Sequence, residues 1–300
     1  MLKVVENKIY ERLKSNNDNS FYLFDINDIR EKVKYWKVKL PRVEPFFAVK
    51  CNYNRDILIA IDKLGLGFEC ASKGEVEKVL ELKIDPQRII YSHTVKQLSH
   101  LQYCAEKKVS KMTFDSSAEL LRIKKNYPDA EVFLRIRIDK KNSTCAADVK
   151  FGCDIEQEAL ELIKMCCDLK MDLIGFNFHI GSITEDFQIY EKALTEVSKL
   201  FDKASSLGFH LNFINIGGGF YGENKECLDN YVDHINKAID THFPNINLIV
   251  AEPGRYFVES AGVLATQIIL KRISVDGHVH YYINEGVFLS FLFTLDLWKN

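Results

Sequence analysis

With 300 residues and a formal charge of −2 at pH 7, the chain is longer than an average domain yet short enough for a single α/β barrel. The near-neutral balance and the lack of a strong basic block argue against nucleic-acid binding, and no apolar run approaches the length of a membrane span. Hydrophobic residues at 47% and charged residues at 27% are the balance of an ordinary globular protein. The opening MLKVVENKIYERLKSNNDNS has no apolar core of the kind a secretory leader needs. Phe21–Asp25 is the first strand candidate. From residue 45 onward, short β-rich runs alternate with helical periodicity. Strands are expected at Pro45–Lys50, Leu66–Cys70, Arg88–Tyr91, Lys111–Asp115, Glu131–Ile138, Asp172–His179, Leu211–Ile216 and Asn247–Glu252. Between them, stretches such as Lys73–Leu82 and Gln188–Leu207 repeat apolar residues at intervals of three and four. Ser72 and Ser116 have the look of N-caps, with Glu75 and Glu119 three residues on, as in a capping box.

Strands that each lead into a helical stretch predict a (β/α)8 TIM-like barrel. Runs such as Leu248-Ile-Val-Ala251, apolar throughout, fit a parallel sheet covered on both faces. A doubly wound open sheet is the rival, but it usually carries a Gly-rich turn after its first strand, which this chain lacks. Beyond Val258, Gly262–Leu270 and Val279–Asn284 read as strands without intervening helices. The expected organisation is an N-terminal segment over 1–20, a barrel over 21–259, and an incomplete β-rich domain over 260–300, to which Phe21–Asp25 could contribute a strand. The eight cysteines, at 51, 70, 104, 145, 153, 166, 167 and 227, form no Cys-x-x-Cys pair and no zinc-ligand spacing. Reduced thiols in the cytoplasm and no bound metal are expected, with Cys166 and Cys167 serving as packing residues.

In such barrels the chemistry gathers at the C-terminal ends of the strands. Read in order, those ends carry Lys50, Glu69, Arg135 with Arg137, His179, the Gly217-Gly218-Gly219 triplet, and Glu252-Pro253-Gly254-Arg255. Each alone has an ordinary structural use, such as a solvated charge, a satisfied histidine or a turn. Together on one rim they suit pyridoxal 5'-phosphate. Lys50 would hold the aldehyde as a Schiff base. Glu252 would keep the pyridine nitrogen protonated, making the ring an electron sink as CO2 leaves. His179 would stack on the ring, and the triplet would bring backbone N–H groups to the phosphate. Ser182 and Arg255 would add hydroxyl and cationic donors, and Glu69 would orient or pair with Lys50.

The motifs also resemble a known family, the eukaryotic ornithine decarboxylases of the alanine-racemase-like class. The matching segments are PFFAVKCN (45–52), GLGFECASKGEVEKVL (65–80), RIIYSHTVKQLSHLQYCAEKKVSKMTFDSSAEL (88–120), LRIRID (134–139), VKFGCD (149–154), IGFNFHIGS (174–182), INIGGGFYG (214–222) and AEPGRY (251–256). The resemblance implies that Lys50 is the cofactor lysine and that Arg135, His179, Ser182, Gly219, Glu252, Gly254 and Arg255 are cofactor-site positions. It implies conversion of L-ornithine to putrescine and CO2 by a cytosolic homodimer. It also implies a contact with the regulatory protein antizyme through residues 96–121.

The chain departs from the family at several points. Glu69 and Asn215 stand where the family usually has aspartate, and Asn284-Glu285-Gly286-Val287-Phe288 replaces Asn-Asp-Gly-Val-Tyr. Beyond Phe291 the resemblance stops, so the chain reads as C-terminally truncated. The family's later Cys-Asp motif is then missing, and weak activity of this chain is expected. The apolar Val287–Phe293 run would present an exposed edge and promote association. Two other readings stay open: a non-catalytic protein like the antizyme inhibitors, and a decarboxylase for lysine, arginine or diaminopimelate.

Overall fold

The computed structural model describes residues 2–15, 17–138, 150–181 and 186–291. They divide into two units, one spanning 29–259 and the other combining the chain before residue 29 with the chain from residue 260. Strand β1 (Phe21–Phe24) belongs to the second of these.

The larger unit is a closed barrel of parallel strands. In ring order these are β2 (Val43–Ala48), β3 (Gly67–Cys70), β4 (Ile89–Tyr91), β5 (Lys111–Phe114), β6 (Glu131–Arg135), β7 (Asp172–Asn177), β8 (Phe213–Asn215) and β9 (Leu248–Ala251). β9 closes the ring by pairing with β2, with Val43 opposite Ile249. Nearly every strand residue is buried because helices cover the outside while side chains fill the inside. One buried cluster joins Phe46, Ile90, Phe133, Ile174, Phe213 and Val250, with the Phe133 and Phe213 rings 4.9 Å apart. The β6–β7 register shifts between Val132 and Phe133, which are paired with Leu173 and Gly175, so Ile174 occupies a bulge. Gly175 itself allows a close approach, since a Cβ there would stand 1.7 Å from the Phe213 carbonyl oxygen.

The helices present apolar stripes to the barrel, such as Val76 and Val79 in Lys73–Leu80, or Leu194, Val197 and Leu200 in Ile189–Ser206. The indole of buried Trp36 donates to the Val43 carbonyl at 2.8 Å and packs edge-on against Phe220, which fixes the start of β2. Ser72 caps its helix by accepting from the Glu75 N–H, and Glu75 reaches back to accept from the Ala71 N–H at 2.8 Å. At Ser116 only half of the expected box forms. Its hydroxyl accepts from the Glu119 N–H, but the Glu119 carboxylate turns to fully buried Lys96, 3.1 Å away. Lys96 also donates to the carbonyls of His93 and Thr113, so this buried pair ties the loop after β4 to the end of β5. Cys166 is buried as expected, whereas Cys167 is exposed and does not serve the core.

In the smaller unit β1 pairs antiparallel with β10 (Gly262–Ala265), and β11 (Ile268–Ile273) forms an antiparallel hairpin with β12 (Val279–Ile283). Among the described residues no helix is long and apolar enough to cross a membrane.

Candidate active site

Lys50 does not lie on β2 but in the 3-10 turn Val49–Cys51 that follows it, where the chain leaves the barrel. Its Nζ donates to Glu69 Oε2 at 2.6 Å. Glu69 sits inside β3 and is fully buried, and its other oxygen has no hydrogen-bond partner among the described residues. A buried carboxylate oxygen with an idle lone pair is costly in a finished core and natural in a binding site. Desolvation pushes the Lys50 amine toward neutrality. The carboxylates of Glu69, Glu252 and Glu75 outweigh that effect and hold its proton above the ordinary lysine value.

Glu252 follows β9 directly and is 8% exposed. Ser92, just past β4, and Asn215, at the end of β8, both donate to its Oε1, the latter at 2.7 Å. Burial raises the Glu252 carboxyl above its ordinary value, and the nearby Glu69 adds to this. Lys50, Ser92 and Asn215 work in the opposite direction.

The glycine triplet is crowded on several sides. A Cβ at Gly217 would lie 2.3 Å from the Phe178 carbonyl oxygen, one at Gly218 would lie 2.8 Å from the Glu252 carbonyl oxygen, and one at Gly219 would lie 2.5 Å from that of Gly181. Gly217 and Gly219 also have φ of +69° and +108°, which other residues adopt only at a cost. Not every amide in the turn is free for an anion. The Gly217 N–H donates to Asn215 Oδ1 and the Gly218 N–H donates to His179 Nδ1, each at 2.9 Å. The Gly219 N–H has no partner among the described residues. Tyr190 and Tyr231 hold the turn from behind by donating to the Gly218 and Gly219 carbonyls.

His179 lies two residues beyond β7. Because its Nδ1 accepts from Gly218, the proton of the neutral imidazole resides on Nε2 and the ring is fixed in orientation. Arg135 ends β6 with its guanidinium 5.3 Å above the Phe151 ring. Gly254 lets the chain after β9 pass close to the end of β2 and the turn beyond it, since a Cβ there would be 3.1 Å from the Ala48 Cβ and 2.8 Å from the Cys51 Cβ. Arg255 opens the short helix Arg255–Val258 near Cys51, where burial raises the thiol above its ordinary value and the Arg255 charge offsets only part of that rise. Ser182 lies outside the described residues.

The structure therefore joins Lys50 with Glu69, and His179 with the glycine turn and, through Asn215, with Glu252. Arg135 is held at its own strand end, over Phe151. The donors on Glu252 are the feature that strand-end reading missed. Ser92 carried no signal beyond its place after a strand, and Asn215 drew notice only as a departure from aspartate.

These residues fit pyridoxal phosphate. There is an amine at the rim paired with a buried carboxylate, a second buried carboxylate that accepts two hydrogen bonds on one oxygen, and a crowded glycine turn that holds the His179 ring and whose Gly219 amide has no partner among the described residues. Comparison with known proteins points the same way. Residues 26–259 match the family model described as "Pyridoxal-dependent decarboxylase, pyridoxal binding domain". The chain is 36% identical to an ornithine decarboxylase of Schizosaccharomyces pombe, over 91% of its own length and 63% of that protein. It is equally 36% identical to antizyme inhibitor 2 of Xenopus laevis, over 96% of its length and 66% of that relative. Thus it spans about two thirds of the curated relatives it matches. Among solved structures, the arginine decarboxylase of Paramecium bursaria Chlorella virus superposes with a TM-score of 0.90 at 36% identity, covering 98% of this chain and 78% of that one. The barrel thus shares the architecture of solved relatives, its sequence matches a pyridoxal-binding domain, and the chain belongs to the pyridoxal-dependent decarboxylases through that domain.

Proposed function

We propose that these residues form the cofactor site of a decarboxylase for a basic amino acid, with L-ornithine as substrate and putrescine and CO2 as products. The observation that carries this reading is the Lys50–Glu69 pair at the barrel rim, with buried Glu252 close enough to influence the lysine. In its bound state the cofactor supplies an electron sink for the bond pair left by departing CO2. Lys50 is the amine that holds it, and Glu69, at 2.6 Å, is placed to take the proton that the amine must shed before it can act as a nucleophile. Glu252 holds the ring nitrogen in its protonated state. His179 offers a ring face of fixed orientation. The Gly219 amide, Arg255 and Ser182 serve the phosphate, and Gly254 lets the loop bearing Arg255 approach. Arg135 adds positive charge to the rim.

Ornithine is favoured over lysine and arginine by the family segments and by the ornithine decarboxylases among the relatives. By the same resemblance we place the protein in the cytoplasm as a homodimer, with residues 96–121 as a contact for antizyme. For the domains we propose a barrel ending at 259 and a β-rich domain beginning at 260, to which Phe21–Phe24 contributes the strand that pairs with β10.

A second reading, a non-catalytic antizyme inhibitor, is supported by the identity to the Xenopus protein. The retained Lys50, His179, Glu252 and Arg255 favour the enzyme. One titration separates the two. Purified chain is mixed with pyridoxal phosphate, reduced with borohydride and digested, and the modified peptide is identified by mass spectrometry. Cofactor fixed to Lys50, with at most slow release of putrescine from ornithine, in preference to cadaverine from lysine or agmatine from arginine, is the expected result. Cofactor on another lysine would overturn the lysine assignment. Tight antizyme capture without any product would favour the inhibitor.

A further inference from the structure

Both donors to the Glu252 side chain act on the same oxygen. Ser92 Oγ and Asn215 Nδ2 each donate to Oε1, and no described hydrogen bond reaches Oε2. The two donors come from opposite sides of the ring, one after β4 and the other from β8, four strands on. Asn215 is completely buried, and its amide cannot be turned around. Its Oδ1 already accepts from the Gly217 N–H at 2.9 Å, so Nδ2 must face the carboxylate. One side chain therefore links the carboxylate to the glycine turn, and the Glu252 N–H donates back to the Gly217 carbonyl at 2.7 Å.

We infer that Ser92 and Asn215 are positioning residues that lock Oε1 of Glu252 and present Oε2 to the ring nitrogen of pyridoxal phosphate, with Asn215 carrying the same constraint to the glycine turn. This rests on Glu252 serving that nitrogen, as the proposed function has it. An aspartate at 215 could accept from Gly217 but could donate to Glu252 only while protonated. The charged groups facing Glu252 are Lys50 and Glu69, with the His179 ring across Gly218. A second carboxylate at 215 would join Glu69 in raising the local negative charge.

The test measures the dissociation constant of pyridoxal phosphate by equilibrium dialysis from pH 6 to 9. It uses the full chain and its Ser92→Ala, Ser92→Thr, Asn215→Asp and Glu252→Gln variants, with circular dichroism as a check on folding. Ser92→Ala and Asn215→Asp should each weaken binding by roughly tenfold at pH 8, the loss expected for one hydrogen bond to a charged group. Ser92→Thr, which keeps the hydroxyl, should restore it. The Asn215→Asp deficit, relative to the unaltered chain at the same pH, should shrink as pH falls, because the new carboxyl can donate once protonated. If Glu252→Gln weakens binding while Ser92→Ala and Asn215→Asp do not, this inference fails alone. If Glu252→Gln binds like the unaltered chain, the role of Glu252 falls and this inference falls with it. An Asn215→Asp loss that is constant across pH would show a merely structural role for Asn215 and overturn its assignment.

Discussion

Glu252 carries a conflict that can be measured. Its burial and the nearby Glu69 make it hold a proton more tightly in the folded chain than in the unfolded one. A carboxyl raised in this way contributes stability below its unfolded value, and that contribution is lost as pH rises through the folded value. At neutral pH the cofactor-free fold therefore lacks the stability that this carboxyl contributes in acid. Glu252→Gln removes the charge while its side-chain oxygen can still accept from Ser92 and Asn215. The cofactor-free variant should melt higher than the unaltered chain at pH 7.5, by roughly 2–4 °C per kcal/mol relieved, and the gain should vanish near pH 4. Scanning calorimetry at the two pH values checks this, and an equal or lower melting temperature at pH 7.5 would contradict it. Lys50, His179 and Glu252 were legible in the sequence because each stands at or just beyond a strand end, where a polar residue interrupts an apolar run. Ser92 and Asn215 were not. Their value lies in which carboxylate they meet across the ring, and no local pattern encodes that. The same holds for the Gly217 and Gly218 amides, which sequence offered to a phosphate and the fold assigns to Asn215 and His179.

The strands and helices show how unevenly glycine matters. In β7, Gly175 permits the backbone of β8 to come close, and an added Cβ would overlap the Phe213 carbonyl oxygen at 1.7 Å. That atom is backbone in a closed ring and cannot swing aside, so Gly175→Ala must force β7 and β8 apart. Gly74, in the helix Lys73–Leu80, has nothing within 4 Å of the same position. Gly74→Ala should stabilise the chain by about 0.5–1 kcal/mol through helix propensity. Gly175→Ala should cost several times more in the opposite direction and yield insoluble or unfolded protein. Urea unfolding of the two variants side by side checks both signs. A Gly175→Ala chain with an unchanged midpoint would mean that the barrel tolerates a widened gap there. The alternation of strands and helices was plain in the sequence, because buried parallel strands are apolar throughout. The strand bounds were not, since β2 ends at Ala48 and β9 at Ala251, so Lys50 and Glu252 have already left the sheet although nothing in the sequence marks the break. Nor was the bulge at Ile174, which depends on how β6 and β7 share a ring rather than on either strand alone.

For the molecule as a whole, the contrast is between a sheet with no edges and one made of little else. The barrel closes on itself, whereas β11 and β12 form a two-stranded sheet, an assembly of marginal stability in water. Every residue of β11 is exposed, among them Ile268, Ile269, Leu270 and Ile273 at 56–63%, and Tyr281 and Tyr282 of β12 are exposed as well. Just beyond, Phe288 and Leu289 are 88% and 70% exposed. Apolar surface of this kind, beside unpaired strand edges, favours association. We expect the purified chain to sediment faster as its concentration rises from about 1 to 100 μM, far from the limit of a compact chain of this mass. Because the attraction is apolar, 0.5 M salt should not abolish it, whereas association through surface ion pairs would be screened. Leu270→Lys with Ile273→Lys places a charge on each face of β11, since residues three apart on a strand point to opposite sides. That variant should shift the chain toward monomer and leave pyridoxal phosphate binding unchanged, because neither residue belongs to the barrel rim. Sedimentation velocity on both proteins, at low and high salt, decides the point. A single monomeric boundary for the unaltered chain at every concentration would show that the exposed hairpin does not drive assembly. Association of the doubly substituted chain to the same degree would place the contact elsewhere.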